Sequence, residues 1–139
     1  MNDEHFIKIA IKEAKKGSYP FGALIVKDNK IIAKTHNTAA LDPTAHAEVN
    51  AIRKACKKMK SVNLTGCTLY SSCEPCPMCF YAAWWANISK IVYSIDAEDI
   101  AEEEWKIDEK CYEMNKKSKS KIEIKGGILR EEGLKLFKI

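Results

Sequence analysis

The chain is 139 residues long, 46% hydrophobic and 30% charged, which excludes disorder, a collagen-like repeat and a coiled coil as descriptions of the whole protein. Its formal net charge of +4 is too small to indicate a nucleic-acid partner by itself. No apolar run approaches the roughly 18 residues of a membrane span. The length suits one domain over residues 1–139, and the acidic N-terminus without a small-residue cleavage site argues against a secretory signal. We therefore expect a cytoplasmic, single-domain protein with no membrane partner.

The first third of the chain predicts a helix, a β-hairpin and a second helix. Apolar residues at helical spacing follow Asn2 and Asp3, either of which can cap the first helix, and Gly17 ends it. Two β-rich runs, PFGALIVK and KIIAKTH, are joined by an Asp-Asn dipeptide typical of hairpin turns. Asp42 and Pro43 have the residue types of an N-cap and a first helical position, which predicts that the second helix begins there.

The rest of the chain alternates strands and helices. The predicted segments are the strand CTLYSS, the helix PMCFYAAWWAN, the strand KIVYSI, a polar helical segment, the strand KIEIKGG and the helix ILREEGLKLFK. Alternation after an opening hairpin predicts an α/β fold, with a mixed five-stranded sheet between helices on both faces. Functional sites in such sheets lie where strands lead into helices.

Two of these strand-to-helix junctions carry the residue types of a metal site. His46 and Glu48 stand at the start of one helix, and Cys76 and Cys79 at the start of the next. One imidazole and two thiolates suit a tetrahedral zinc ion, with the fourth position left for water, and helix N-termini favour thiolates. Glu48 lies in the first helical turn beside His46, where a carboxylate can take and return a proton. The sequence therefore predicts Zn²⁺ as a cofactor.

The remaining cysteines leave two other interpretations open. In a chain without a secretory signal, six cysteines are expected to be thiols or metal ligands rather than disulfides. Cys73 begins a C-x-x-C-x-x-C run that resembles an iron–sulfur motif, although the further cysteine and proline that the motif requires do not follow Cys79, where the chain continues through Ala82 and Ala83. Cys73 is also a candidate fourth ligand of a purely structural zinc ion, in which case the protein is a zinc-stabilised binding module.

The H-A-E and P-C-x-x-C patterns resemble the signature of zinc nucleobase deaminases. With PFGALIV, DPTAHAEVNAIRKACK, SCEPCPMC and WWA, nearly the whole chain is similar to the bacterial guanine deaminase branch of the cytidine deaminase-like superfamily. This resemblance implies a three-layer α/β/α fold, a homodimer, and a zinc hydrolase that converts free guanine to xanthine and ammonia. It also implies that His46, Cys76 and Cys79 bind zinc and that Glu48 moves the proton.

The same resemblance implies two further substrate contacts. Asn37, at the end of the second strand, matches the asparagine that binds the base. An aspartate expected after the fourth strand has no direct counterpart, and Asp108 is the candidate for its role, with Glu103 or Glu104 as alternatives.

Other substrate contacts follow from residue types alone. Backbone N–H groups near Ala47 and Cys76 are exposed at helix starts and are candidate donors to the substrate. Phe21 and Trp85 are candidates for packing against a planar base, although both residue types are common in cores.

A tRNA adenosine deaminase is the main alternative, because such enzymes share DPTAHAE and PCxxC. An RNA substrate requires basic side chains around the site, whereas residues 96–115 contain nine acidic and two basic residues. This acidic segment favours a small-molecule nucleobase, which can donate N–H groups to carboxylates. Basic excesses in residues 1–60 and 116–139 keep tRNA open as a partner, and cytosine, another purine or a pterin remain possible substrates.

Overall fold

The computed structural model describes residues 2–100 and 107–137. Its centre is a five-stranded sheet in the order β2-β1-β3-β4-β5, in which β1 is antiparallel to β2 and β3 while β3, β4 and β5 are parallel. The strands are β1 (Gly22–Lys27), β2 (Lys30–His36), β3 (Thr68–Cys73), β4 (Lys90–Ile95) and β5 (Glu123–Lys125). The predicted mixed sheet is confirmed.

Five α-helices alternate with these strands in the predicted order. They are α1 (Asp3–Ala14), α2 (Ala47–Met59), α3 (Pro77–Trp85), α4 (Cys111–Lys117) and α5 (Arg130–Leu134). Single 3₁₀ turns cover Ala97–Asp99 and Lys135–Phe137. The closing helix is therefore shorter than predicted, because its last turn is 3₁₀. Across residues 2–100 and 107–137, no helix combines the length and the apolar character needed to cross a membrane.

The helices cover both faces of the sheet because successive side chains of a strand point to opposite sides. Leu24 and Val26 of β1 pack in one apolar cluster with Phe6 and Ile7 of α1. The residues of β1 that alternate with Leu24 and Val26 belong to a second apolar cluster on the other face of the sheet. To this cluster α2 contributes Ala51 and α3 contributes Phe80. These two clusters fill the two interfaces between the sheet and the helices on its faces, which gives the three-layer α/β/α fold.

The helix α1 and the β1–β2 hairpin, which were predicted from capping and turn residues, are confirmed. The Asn2 side chain accepts a hydrogen bond from the His5 backbone N–H at 3.0 Å, as expected of an N-cap. Asp28 and Asn29 have φ values of 51° and 61°, the left-handed conformation that a two-residue hairpin turn requires.

The predicted start of the second helix was wrong. The α2 helix begins at Ala47, and His46 is its N-cap in an extended conformation. Asp42 instead caps a turn, since its Oδ1 accepts from the backbone N–H of Thr44 at 2.8 Å and from the hydroxyl of Thr44 at 2.8 Å. This turn shortens the helix and leaves His46 as its N-cap.

Gly22 tests how closely α1 packs against the sheet. A Cβ atom on Gly22 would overlap the carbonyl oxygen of Ala10 and lie 2.6 Å from the backbone nitrogen of Ala14. We expect Gly22→Ala to lower the free energy of unfolding by about 2–3 kcal/mol, because α1 must move away from β1. Gly127→Ala is the control, since its Cβ would meet no described atom within 4 Å although φ is 80°, and it should cost only about 1 kcal/mol. Urea unfolding measures both, and a smaller loss for Gly22→Ala than for Gly127→Ala would contradict the packing.

Candidate active site

Two helix starts meet beside the sheet. His46 is the N-cap of α2, and Cys76 is the N-cap of α3, which continues with Pro77 at its first position. Proline suits this position because the backbone N–H of a first helical residue has no acceptor within the helix, so its absence in proline costs no hydrogen bond. In the described chain neither the His46 nor the Cys76 side chain acts as a helix cap, and the sulfur of Cys76 instead contacts that of Cys79. Both side chains are therefore available to a ligand.

The side chains of His46, Cys76 and Cys79 form a group with the dimensions of a zinc site. The Nδ1 atom of His46 lies 3.6 Å from Sγ of Cys76 and 3.5 Å from Sγ of Cys79, and the two sulfurs are 3.7 Å apart. A tetrahedral zinc ion bonded at about 2.3 Å to sulfur and about 2.0 Å to nitrogen separates its ligand atoms by about 3.5–3.8 Å. The three residues fit zinc without rearrangement.

This group contains three ligands in the part of the chain that the structure describes. Cys73 lines a cavity together with His46 and Cys76, but its sulfur does not belong to the cluster of His46, Cys76 and Cys79. Burial raises the pKa of the Cys73 thiol well above its usual range, so this residue is a packed thiol rather than a thiolate. All six cysteines are free, as expected for a chain without disulfides. Within residues 2–100 and 107–137, neither the iron–sulfur cluster nor the closed structural zinc site is assembled.

The electrostatics of the group favour a thiolate at Cys76. A hydrogen bond from Cys79, joined by interactions with His46, lowers the pKa of Cys76 to about 4 despite the opposing effect of burial. The hydrogen bond to Cys76 together with burial raises the pKa of Cys79. Without a metal, the two sulfurs therefore share one negative charge. A divalent cation stabilises the second thiolate.

Glu48 places a buried carboxyl group beside the metal group. It lies in the first turn of α2, is 6% exposed and lines the same cavity as His46 and Cys76. Burial, followed by the nearby negative charge of Cys76, raises the pKa of Glu48 to about 7. A carboxyl group with a pKa in this range is suited to both accepting and donating a proton near neutral pH.

A cavity of about 430 Å³ opens beside this group and collects most of the predicted site residues. Phe21 and Asn37 line one side of it, and Phe21 also packs its ring 5.6 Å from that of Phe137. The other lining residues are Tyr19, Ala39, Pro43, His46, Glu48, Cys73, Glu74, Cys76, Ala97, Ile100 and Ile107. Because most of the lining side chains are apolar or aromatic, the cavity suits a planar organic molecule.

Asn37 is held so that its amide faces this cavity. Its backbone N–H donates to the Phe21 carbonyl at 3.0 Å, and its own carbonyl accepts from Ser18 at 2.9 Å. Its Oδ1 accepts from the backbone N–H of Ala39 at 2.8 Å. Among the described residues, no protein acceptor is bonded to its Nδ2. The amide hydrogens are therefore available to a bound molecule.

Asn50 was not predicted from the sequence as a site residue, although its side chain fixes the part of the cavity lining that carries Asn37. From α2 its Nδ2 donates to the His36 carbonyl at 3.0 Å and to the Thr38 hydroxyl at 3.1 Å. These bonds tie the end of β2, and with it Asn37, to the helix that carries Glu48. An asparagine inside a helical pattern gives no sequence signal for such a long-range contact.

Besides Cys79, which is fully buried within the metal group, three predicted residues are not brought into the cavity by their side chains. Ala47 is fully buried, although as the first residue of α2 its backbone N–H has no intrahelical partner. Trp85 lies six positions after Cys79 at the end of α3, so it points to another side of the helix and is 75% exposed. Asp108 lines a second cavity of about 340 Å³.

This second cavity adjoins the first. Both are lined by Glu74, Ala97 and Ile107, so Asp108 is a neighbour of the site rather than one of the residues around His46. The alternatives Glu103 and Glu104 lie outside the described residues.

With this geometry established, comparison with known proteins identifies the family. The model of the cytidine and deoxycytidylate deaminase zinc-binding region matches residues 1–95. The chain belongs to this family. It is therefore a hydrolytic deaminase domain whose cofactor is zinc, and the His46, Cys76 and Cys79 group could hold that ion.

The relatives differ in their substrates. Guanine deaminase from Bacillus subtilis (strain 168) is 50% identical over 109 residues, which are 73% of this chain and 70% of that protein. The tRNA-specific adenosine deaminase from Aquifex aeolicus (strain VF5) is 47% identical over 100 residues, which are 68% of this chain and 66% of that protein.

Solved structures of both kinds of enzyme share the fold. The Bacillus subtilis guanine deaminase superposes with a TM-score of 0.68 at 50% identity, over 71% of this chain and 68% of that one. A tRNA:A34 deaminase that performs A-to-I editing at the wobble position superposes with a TM-score of 0.81 at 28% identity, over 95% of this chain and 98% of that one. Family membership thus fixes the reaction type and leaves the base that is deaminated open.

The three-ligand zinc site makes a direct prediction about metal content. We expect about one zinc ion per chain in the purified protein and a large loss of bound zinc in Cys79→Ser, because a hydroxyl is a poor zinc ligand compared with a thiolate. Cys73→Ser should retain the metal, since its sulfur lies outside the group. Elemental analysis after dialysis measures the zinc, and loss of zinc in Cys73→Ser would show that Cys73 closes the site.

Proposed function

We propose that this protein is a zinc-dependent guanine deaminase, which hydrolyses guanine to xanthine and ammonia. The observation that carries the proposal is the cavity that Glu48 and Asn37 line together with His46 and Cys76 of the metal group. The 50% identity to a guanine deaminase supports guanine as the base.

In this proposal His46, Cys76 and Cys79 hold the zinc ion, with Nδ1 and the two sulfurs as ligand atoms. A bound zinc ion supplies a water molecule whose pKa is lowered to about 7. The open fourth position lies on the cavity, because His46 and Cys76 both line it.

Glu48 is the proposed general acid and base. Its carboxylate removes a proton from water and transfers it to a ring nitrogen, while the water oxygen bonds to the carbon that carries the amino group. Glu48 then takes the proton of the hydroxyl group added to that carbon and passes it to the amino nitrogen, so that the C–N bond breaks as the C=O bond forms and ammonia leaves. Burial of Glu48 keeps bulk water away from this transfer.

The walls of the cavity are the proposed base-binding groups. The Asn37 amide donates to an acceptor on the base, and the backbone N–H of Ala47 is a further donor at the start of α2. Phe21 packs against the face of the ring. We propose that Asp108 acts from the adjoining cavity as a second acidic group toward the substrate.

A tRNA adenosine deaminase is the second candidate. The 47% identity to one such enzyme and the match of a tRNA:A34 deaminase to 95% of this chain support it. Against it, Glu98, Asp108 and Glu109 line the adjoining cavity with Lys110 as the one basic residue among its described lining. Carboxylates at this position repel a phosphate backbone, so we place guanine first.

A substrate panel decides between these functions. We expect ammonia release from guanine and not from cytosine, a pterin or adenosine-containing tRNA. Glu48→Gln should lower the rate by about 10²–10⁴-fold with its zinc retained, because an amide cannot transfer the proton. Glu4→Gln on the exposed surface of α1 is the matched control and should leave the rate unchanged.

Two results would contradict the proposal in different ways. Ammonia release from the tRNA but not from guanine would assign the second candidate. Zinc-loaded protein that releases ammonia from no member of the panel, with Glu48→Gln indistinguishable from wild type, would favour a zinc-stabilised binding module.

We also propose that the protein forms a homodimer through α3. Met78, Tyr81 and Trp85 lie at positions i, i+3 and i+7 and form one exposed apolar stripe along this helix. Tyr112 on the neighbouring α4 is also exposed. An apolar stripe of this kind on a small protein is typical of a protein–protein interface.

Sedimentation at micromolar concentration tests the homodimer. We expect a species of twice the chain mass of 15.7 kDa, and Trp85→Glu should shift it toward monomer because a charge in the interface must be desolvated. Val62→Glu is the control, since Val62 is 83% exposed in the loop after α2. A wild-type protein that sediments as a monomer would rule out the dimer.

A further inference from the structure

Glu74 is a buried carboxylate to which the proposed reaction assigns no role. It is 7% exposed and lies between β3 and α3, two residues before the ligand Cys76. Its Oε1 accepts from the backbone N–H of Ala97 at 3.1 Å, and its Oε2 accepts from the backbone N–H of Cys111 at 2.9 Å. One side chain thus joins the metal-ligand loop to two points of the chain after β4.

Neighbouring contacts fix the loop that carries Glu74. Its backbone N–H donates to the Ile95 carbonyl at 2.8 Å, and the Cys111 thiol donates to the Pro75 carbonyl at 3.3 Å. Among residues 2–100 and 107–137, Glu74 forms no ion pair. Burial of a carboxylate without a cation is unfavourable unless its oxygens are hydrogen-bonded. The two backbone amides are therefore the partners that keep Glu74 in place.

The two backbone N–H groups bonded to Glu74 belong to the segment of chain that lines one wall of the active-site cavity. Ala97, Ile100 and Ile107 line this cavity, and Glu74 holds this stretch of the chain at Ala97 and again at Cys111. Glu74 itself also lines the cavity. The position of this wall relative to His46 and Cys76 therefore depends on the Glu74 carboxylate.

We propose that Glu74 is a positioning residue that sets the distance between the metal group and the wall formed by Ala97, Ile100 and Ile107, and thereby the affinity for the substrate base. The proposal rests on the deaminase function given above, since it assumes that the base lies between this wall and Asn37. Glu74 acts on the substrate through the backbone it holds.

The chemistry of the link requires both carboxylate oxygens. Glutamine offers one acceptor oxygen, and its NH₂ group would face a backbone N–H donor at the other end of the link. Glu74→Gln should therefore keep the size of the side chain and release one of the two amides. Aspartate keeps the charge but is shorter by one methylene group, so it reaches one amide at most.

Kinetics with matched variants test the proposal. We expect Glu74→Gln to retain its zinc, to raise KM about tenfold or more, and to change kcat by less than about threefold, since a misplaced wall weakens binding more than chemistry. Glu113→Gln, on the exposed surface of α4, is the control and should match wild type. If Glu74→Gln does not fold, Glu74→Asp should show the same rise in KM.

Amide hydrogen exchange gives a second readout that needs no substrate. Exchange at Ala97 and Cys111 should be about tenfold faster or more in Glu74→Gln than in Glu113→Gln. If wild type deaminates another base of the panel, the kinetic test uses that base, and the failure of guanine then contradicts the proposed function alone.

Three outcomes would overturn the role of Glu74. Loss of zinc in Glu74→Gln would show that it acts through the metal group. A fall in kcat with KM unchanged would show a direct effect on the chemistry. Faster exchange at Ala97 and Cys111 with unchanged kcat and KM would show that the link stabilises the fold without positioning the substrate.

Discussion

The contact between the starts of α2 and α3 is the constraint on which the site depends. It brings one imidazole nitrogen and two sulfurs to within 3.5–3.7 Å of one another. Such close sulfur ligands carry unfavourable mutual repulsion once both are thiolates, and a bound cation removes it. Glu48 lies in the first turn of α2, so the same contact also fixes its carboxyl group beside the metal group.

Only part of the cavity lining falls within the match to the family model. The family match ends at residue 95 and includes the metal group and Glu48. Ala97, Ile100 and Ile107, which form one wall of the cavity, lie beyond it. The relatives named for guanine and for tRNA share the reaction of this family although their substrates differ.

Two buried glutamates near the metal group have different surroundings, which suit them to the two roles proposed above. Glu48 is desolvated beside the negative charge of Cys76, which raises its pKa to about 7 and suits proton transfer. Glu74 has a backbone N–H donor on each oxygen. Hydrogen bonding of this kind suits a fixed structural link, since each oxygen is already engaged.

The sequence alone determined the order of the elements, the mixed sheet and the metal-ligand group, because these follow from local periodicity, turn residues and ligand spacing. Only the tertiary structure decided where α2 begins, since the Asp42 side chain is used by a turn rather than by the helix. It also decided that Asn50 and Glu74 support the cavity and that Trp85 lies outside it. These roles depend on contacts between residues far apart in sequence and on which side of a helix faces its neighbours, and neither is encoded in a local pattern.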